Sequence, residues 1–181
     1  GYDDKNPPKG PATLAFLKLI LSSRAWRDSL FGNLFSKSSR ERSAILSWWL
    51  GVLVLLAATI GDGAFLFLGL WCISKATSFH VIRVFAEFLD HSGLQTGSIF
   101  SFTRNLPADS FFKHVTHPVC DTFHLTHHLL PKVPHYRLKE AHSILMGFAQ
   151  YKGAHHCDGY FLGKHSALQC WRARCQNGLA S

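Results

Sequence analysis

Two apolar runs separated by three residues set the strongest limit on how this chain can fold. Ala44 to Ile60 is 17 residues without a charge, Gly61-Asp62-Gly63 forms a tight turn, and Ala64 to Ile73 is again apolar. Ser74 to Phe79 extends the second run with a single lysine, Lys75. At about 1.5 Å per residue, 17 helical residues reach roughly 25 Å, the short end of what spans a bilayer. Two such helices joined by an acidic turn make a hairpin over residues 44–79 with both open ends on one side. Arg40 and Arg42 lie at one end, Lys75 and Arg83 at the other, which directs those ends to the cytosol. The same pattern also fits a buried helical hairpin of a soluble protein. The predicted fold class is all-α, a membrane hairpin carrying cytosolic helices.

Composition agrees with a membrane setting. The 181 residues include 15 Phe and 5 Trp, and 19 Lys and Arg stand against 11 Asp and Glu, a formal charge of +8. Such a balance favours anionic surfaces. The basic residues are scattered around the hairpin and build no groove-reading motif, so nucleic acid is not an expected partner. Five cysteines, an odd number without regular spacing, make no secreted disulfide framework. The first residue is Gly1 and no signal-peptide pattern follows, so the start reads as that of a fragment or processed piece.

The remaining chain divides around the hairpin. Residues 1–43 form an interfacial or cytosolic segment: a loop over 1–11 with Pro7, Pro8 and Pro11, then two short amphipathic helices. These are Ala12 to Leu21 and the stretch bearing Trp26, Leu30, Phe31 and Leu34. They suit a membrane surface, or equally an amphipathic pair on a soluble core. Residues 80–150 form a cytosolic region. His80 to His91 reads as a helix ended by Ser92-Gly93, Thr96 to Asn105 as extended or irregular, Ser110 to Thr116 as a short helix, and Leu138 to Gln150 as an amphipathic helix. In the tail, 151–181, His155, His156, Cys157, His165, Cys170 and Cys175 match no standard zinc spacing.

The chemistry concentrates in Asp121-Thr-Phe-His124-Leu-Thr-His127-His128-Leu-Leu-Pro131. Histidines at i, i+3 and i+4 fall within roughly 100° of arc on one helical face. Pro118 and Pro131 bracket a predicted helix of about three turns. Three imidazoles on one face make a metal cradle, and imidazole nitrogen suits iron, zinc and copper alike.

The flanks carry a resemblance. His117-Pro118, Asp121, the histidine run, Pro131-Lys-Val-Pro134-His135-Tyr136-Arg137-Leu138 and His142 together resemble the third histidine box of the membrane fatty acid desaturases and hydroxylases. The segment Arg83-Val-Phe-Ala-Glu87-Phe-Leu-Asp90-His91-Ser-Gly93, with Phe102-Thr-Arg-Asn105, is similar to what precedes that box. The likeness is strong from about 44 to 145, weaker before, and not evident beyond about 150.

The resemblance implies an O2-dependent oxidoreductase that introduces a double bond into a lipid acyl chain. It implies two irons held by histidines from three boxes plus one between the second and third. Carried over by position, His124, His127 and His128 are third-box ligands and His91 is the additional one. Some relatives place a histidine directly after Ala-Glu, where Phe88 stands here. Glu87, Asp90 and Asp121 are candidates to accept the second imidazole N–H of a ligand and fix its aim. His135 and His142 match the pattern as structural or supporting residues, and His114 and His117 read as structural. With no haem or iron–sulfur motif in the chain, the implied electron donor is a separate protein, ferredoxin or cytochrome b5-like.

The first two boxes, H-x(3–4)-H and H-x-x-H-H, do not occur upstream of the hairpin. The chain therefore reads as the C-terminal part of such an enzyme, an incomplete centre expected to be inactive alone. A hydroxylase of the same superfamily, acting on a lipid or an amino-acid-like substrate, and a non-catalytic truncated membrane remnant remain the alternatives.

Overall fold

The computed structural model describes residues 12–32, 34–94, 97–119 and 121–179, and of Ala12, Ala15 and 174–179 the backbone alone. The expected loop over 1–11 and the side chain of Cys175 lie outside these. Two 3-10 turns and one isolated backbone bridge, Asn105 to His156, are the regular features besides α-helix among the described residues. The helices are α1 (Ala12–Ile20), α2 (Ser23–Phe31), α3 (Ser39–Ile60), α4 (Gly63–Ala76), α5 (Ser78–His91), α6 (Ile99–Phe102), α7 (Lys113–Thr116), α8 (His124–Leu129), α9 (Leu138–Leu145), α10 (Ala149–Lys152) and α11 (Ala167–Leu179). The fold is the all-α class read from the sequence. The chain divides into two compact units, Leu19–Val84 and the remainder, Gly1–Lys18 with Phe85–Ser181.

In the unit Leu19–Val84 the apolar hairpin begins with a capping box. The Ser38 hydroxyl accepts from the Glu41 N–H at 3.3 Å, and the Glu41 carboxylate accepts from the Ser38 N–H at 3.0 Å. Gly61 then closes α3 at φ +53, a left-handed backbone that glycine adopts without strain. Trp49 and Trp71 meet across the hairpin with ring centroids 5.0 Å apart. The rest of its apolar surface is open, with Trp48 70% and Phe65 75% exposed. Ser39–Ile60 and the run Gly63–His91 are long and apolar enough to cross a membrane, and the most apolar stretch of each is almost entirely unburied. Apolar surface left open on this scale favours lipid over the soluble-core alternative.

The second run is interrupted at Thr77, where φ −120 and ψ −95 end α4. After the break His80 is fully buried under Trp26, whose ring stacks on it at 4.3 Å. The His80 Nε2–H donates to the Ile20 carbonyl at 2.8 Å, which leaves Nδ1 to accept from the Ser29 hydroxyl at 2.7 Å. Arg83 in turn donates to Ser29 Oγ at 2.9 Å and to the Ala25 carbonyl at 3.0 Å. The half-buried Trp26 ring thus covers a buried polar contact.

In the other unit Leu89, Leu106, Tyr160 and Ala167 form a core against which Phe85, Cys157 and Phe161 pack. Through it runs the backbone of residues 104–106. On one side Asn105 N–H donates to the His155 carbonyl and Cys157 N–H to the Asn105 carbonyl, both at 2.9 Å. On the other, Leu106 N–H donates to the Thr122 carbonyl at 2.8 Å and Leu125 N–H to the Arg104 carbonyl at 3.2 Å. These last two bonds explain why α8 is shorter than the three turns expected. Residues 122–125 spend backbone groups on the neighbouring segment, and Phe123, at φ −87 and ψ 48, has left helical geometry. Similarly, the helix expected over 138–150 is two pieces, broken around Gly147.

The tail, unassigned by sequence, packs through α11. Trp171 is buried and lies 5.0 Å from the Phe88 ring. Gly93, at φ +75, lets the chain turn directly against it: a Cβ on Gly93 would lie 2.6 Å from the Trp171 Cα. Gly93→Ala therefore combines backbone strain with a backbone clash and should cost about 2–5 kcal/mol. Gly69→Ala, where an added Cβ meets nothing within 4 Å, should be neutral or slightly stabilising. Chemical denaturation of the detergent-solubilised protein compares the two; equal midpoints would refute the close approach.

Candidate metal centre

Two elements bring three imidazoles together. His91 is the last residue of α5, and His124 and His128 occupy successive turns of α8. One ring nitrogen from each lies within 4.8 Å of the others. The closest pairs are His124 Nε2 to His91 Nε2 at 3.1 Å and His128 Nε2 to His124 Nε2 at 3.0 Å.

Hydrogen bonding sets the tautomers. The His91 Nδ1–H donates to the Phe102 carbonyl at 3.1 Å, so its Nε2 carries a lone pair. Phe102 also stacks on the His91 ring, 5.3 Å between centroids at 4°, and meets His128 edge-on. His124 Nδ1 faces the Asp90 carboxylate at 3.7 Å, which favours the proton on Nδ1 and a lone pair on Nε2. Asp90 is itself buried, and His117 Nε2–H lies 3.2 Å from both of its oxygens. The His117 Nδ1 meets the Thr116 hydroxyl at 2.8 Å.

Lone pairs on nitrogens about 3 Å apart repel unless a cation or proton sits between them. Two metal–nitrogen bonds of about 2.1 Å at a right angle place their nitrogens roughly 3.0 Å apart, so this donor set fits a metal ion bound by neutral imidazoles.

Of the residues singled out from sequence, His91, His124 and His128 converge. His127 is exposed, its ring 6.2 Å from that of His124 and 5.9 Å from that of His128. Asp90 contacts His124. Asp121 sits in the turn before α8 and makes no hydrogen bond or ion pair with His124 among the described residues. Glu87 is at an exposed position one turn before His91. Sequence reasoning took His117 as structural, whereas it holds the carboxylate that faces His124. Phe102 was not singled out, since neither its carbonyl nor its ring stacking leaves a trace in residue spacing.

Burial lowers the imidazole pKa values here. His124 falls to about 4, mainly through desolvation, with the Asp90 charge opposing and His91, His128 and His117 adding. His128 is lowered by burial and then by His91 and His127, and His142 by burial and then by His156. An unfolded imidazole takes its proton near pH 6.5, the folded ones only at lower pH, so the unfolded state binds more protons in that window. Without added metal, the melting temperature should hold above about pH 7.5 and fall as pH drops from 6.5 toward 4. In His124→Gln this slope should be shallower. A melting temperature that rises on acidification would contradict the buried neutral imidazoles.

The fatty acid desaturase family model matches residues 8–160, beginning and ending outside the stretch of strongest visible likeness. Dihydrorhizobitoxine desaturase from Bradyrhizobium elkanii is 27% identical over 169 residues, covering 81% of this chain and 45% of that protein. The chain thus spans less than half the length of this curated relative. No solved structure matches the chain. With its histidine cluster, its apolar hairpin and a family match across most of its length, this chain belongs to the fatty acid desaturase family.

Proposed function

We propose that this chain supplies part of the metal centre of a membrane desaturase that uses O2 to introduce a double bond into a lipid acyl chain. The observation that carries the reading is the convergence of His91, His124 and His128 on one point, with the second nitrogens of His91 and His124 held from outside the cluster. In this reading His91, His124 and His128 hold iron, and His127 faces a second iron. Bound iron supplies the activation of O2 needed to remove hydrogen from an unactivated C–H bond. The protein's own part is aim and environment. Asp90 and the Phe102 carbonyl hold the His124 and His91 rings by their second nitrogens, and His117 keeps Asp90 in place. Phe102 covers one flank of the imidazoles and limits water there.

The relative is named for dihydrorhizobitoxine, which favours a second reading with a substrate of that kind in place of a lipid chain. Three donors are few for two irons, and the reading assigns the rest to sequence equivalent to the part of the relative this chain does not match. The electron donor is a separate protein, ferredoxin or cytochrome b5-like. The hairpin lies in the membrane with the histidines on the cytosolic face.

In a full-length enzyme containing this segment, His91→Ala, His124→Ala or His128→Ala should each abolish product and lower bound iron. His127→Ala should do the same by loss of the second iron. Product analysis by mass spectrometry with iron quantitation checks both, and full activity in His124→Ala would refute the assignment. The 181-residue chain alone should turn over no acyl substrate.

Topology has its own test. A cysteine placed at Asp62 should react with an impermeant thiol reagent added outside intact cells, and one at Ser38 should not; the reverse pattern would sink the orientation.

A further inference from the structure

A second polar cluster lies behind the histidines, built largely from residues the sequence left without a role. Thr126 is fully buried on α8, with Tyr151 and Asn105 buried beside it. Tyr151 Oη is 2.6 Å from Thr126 Oγ1, 2.7 Å from Asn105 Nδ2 and 2.7 Å from His142 Nδ1. Asn105 Nδ2 also lies 3.3 Å from the Nδ1 atoms of His142 and His156. His156 Nε2 lies 2.7 Å from the Tyr151 carbonyl, and the Thr126 N–H is 3.3 Å from Asn105 Oδ1.

The hydrogen-bonding groups of the cluster are mutually satisfied. A carbonyl only accepts, so His156 Nε2–H donates to Tyr151 and the neutral ring's Nδ1 accepts. Asn105 Oδ1 accepts from Thr126, which fixes the amide orientation and turns its two N–H groups toward His156 Nδ1 and Tyr151 Oη. The tyrosine hydroxyl bonds to both His142 Nδ1 and the Thr126 hydroxyl, donating to one and accepting from the other. Burial holds Tyr151 protonated and His142 neutral, as this arrangement requires.

The geometry of α8 gives the cluster a consequence. Thr126 is two residues from both His124 and His128, so its side chain leaves the helix about 200° round from theirs. A hydroxyl held there resists rotation of the helix about its axis. A metal site tolerates only about 10–20° of error in its ligands. We propose that Tyr151, through Thr126 and backed by Asn105 and His156, is a positioning residue that locks the rotation of α8 so that His124 and His128 meet His91. The proposal rests on the metal reading above. It gives a role to Tyr151 and His156 near the end of the family match.

The test uses the purified 181-residue chain in detergent, with Tyr151→Phe, Thr126→Val, Thr126→Ser and the double variant Tyr151→Phe/Thr126→Val. Amide hydrogen exchange is read at His127 and Leu130, whose N–H groups bond to the Phe123 and Thr126 carbonyls, and at α3 as a control. Cobalt(II) affinity is read by absorption titration. Tyr151→Phe and Thr126→Val should each speed exchange at the α8 amides tenfold or more, leave α3 unchanged, and weaken cobalt(II) binding by about 10–100-fold. Thr126→Ser, which keeps the hydroxyl, should behave as wild type, and the double variant should be no worse than the worse single one. Unchanged exchange at α8 overturns the proposal. So does faster exchange with wild-type cobalt(II) affinity, or Thr126→Ser failing like Thr126→Val, because the role would then be packing. A wild-type chain that binds no cobalt(II) refutes the metal reading instead, and the exchange comparison still decides whether the hydroxyl locks α8.

Discussion

The backbone of residues 104–106 is the constraint on which the histidine-bearing unit depends. Its N–H and C=O groups are divided between two partners, residues 155 and 157 of the tail and residues 122 and 125 beside the box. The Arg104 side chain, almost fully buried, donates to the Ser92 carbonyl just past α5 and to the Ala167 carbonyl at the start of α11. One short segment therefore ties together the end of the helix carrying His91, the start of the helix carrying His124 and His128, and the tail. A buried guanidinium is costly unless its donors are filled. Here the Ser92 carbonyl at a helix end and the Ala167 carbonyl at a helix start each take one of its N–H groups.

What was legible in the sequence was whatever repeats at a helical interval or by residue type. The apolar runs gave the hairpin, and i, i+4 spacing placed His124 and His128 together. The flanking pattern carried His91 and Asp90 to the site. What stayed hidden depends on contacts between positions far apart in the chain. The shortness of α8 comes from backbone bonds to residues 104 and 106, and no local propensity reports these. The break at Thr77 falls inside a run whose hydropathy continues across it. His117 lies 27 residues from Asp90, so its hold on that carboxylate was invisible to any window. Tyr151 and His156 sat in a tail where no motif was evident, yet their partners are Thr126, Asn105 and His142.

Electrostatics and packing act together around Asp90. Its carboxylate is buried, which would penalise the charge, but His117 offers an N–H to both oxygens and His124 lies on the other side. The carboxylate thus favours a proton on the outer nitrogen of His124 while burial resists a second proton on the inner one. The two effects favour the same state, a neutral imidazole with its lone pair directed inward. Phe102 does the equivalent for His91 with a backbone carbonyl in place of a carboxylate, which adds no charge to the site.

The box also obeys a limit set by the helix. Residues four apart are about 40° apart around the axis, residues three apart about 60° the other way, and adjacent residues about 100° apart. His124 therefore lies between His127 and His128, and the outer two diverge. In the structure His91, from α5, brings the third nitrogen to within 4.8 Å of those of His124 and His128. The remaining histidine faces a different point, its ring about 6 Å from both neighbours. Paired metals in enzymes sit roughly 3.5–4 Å apart, a separation that two adjacent histidines on one helix can serve from opposite sides of a shared neighbour. In the reading proposed above, an ion beside His127 takes its other donors from outside α8.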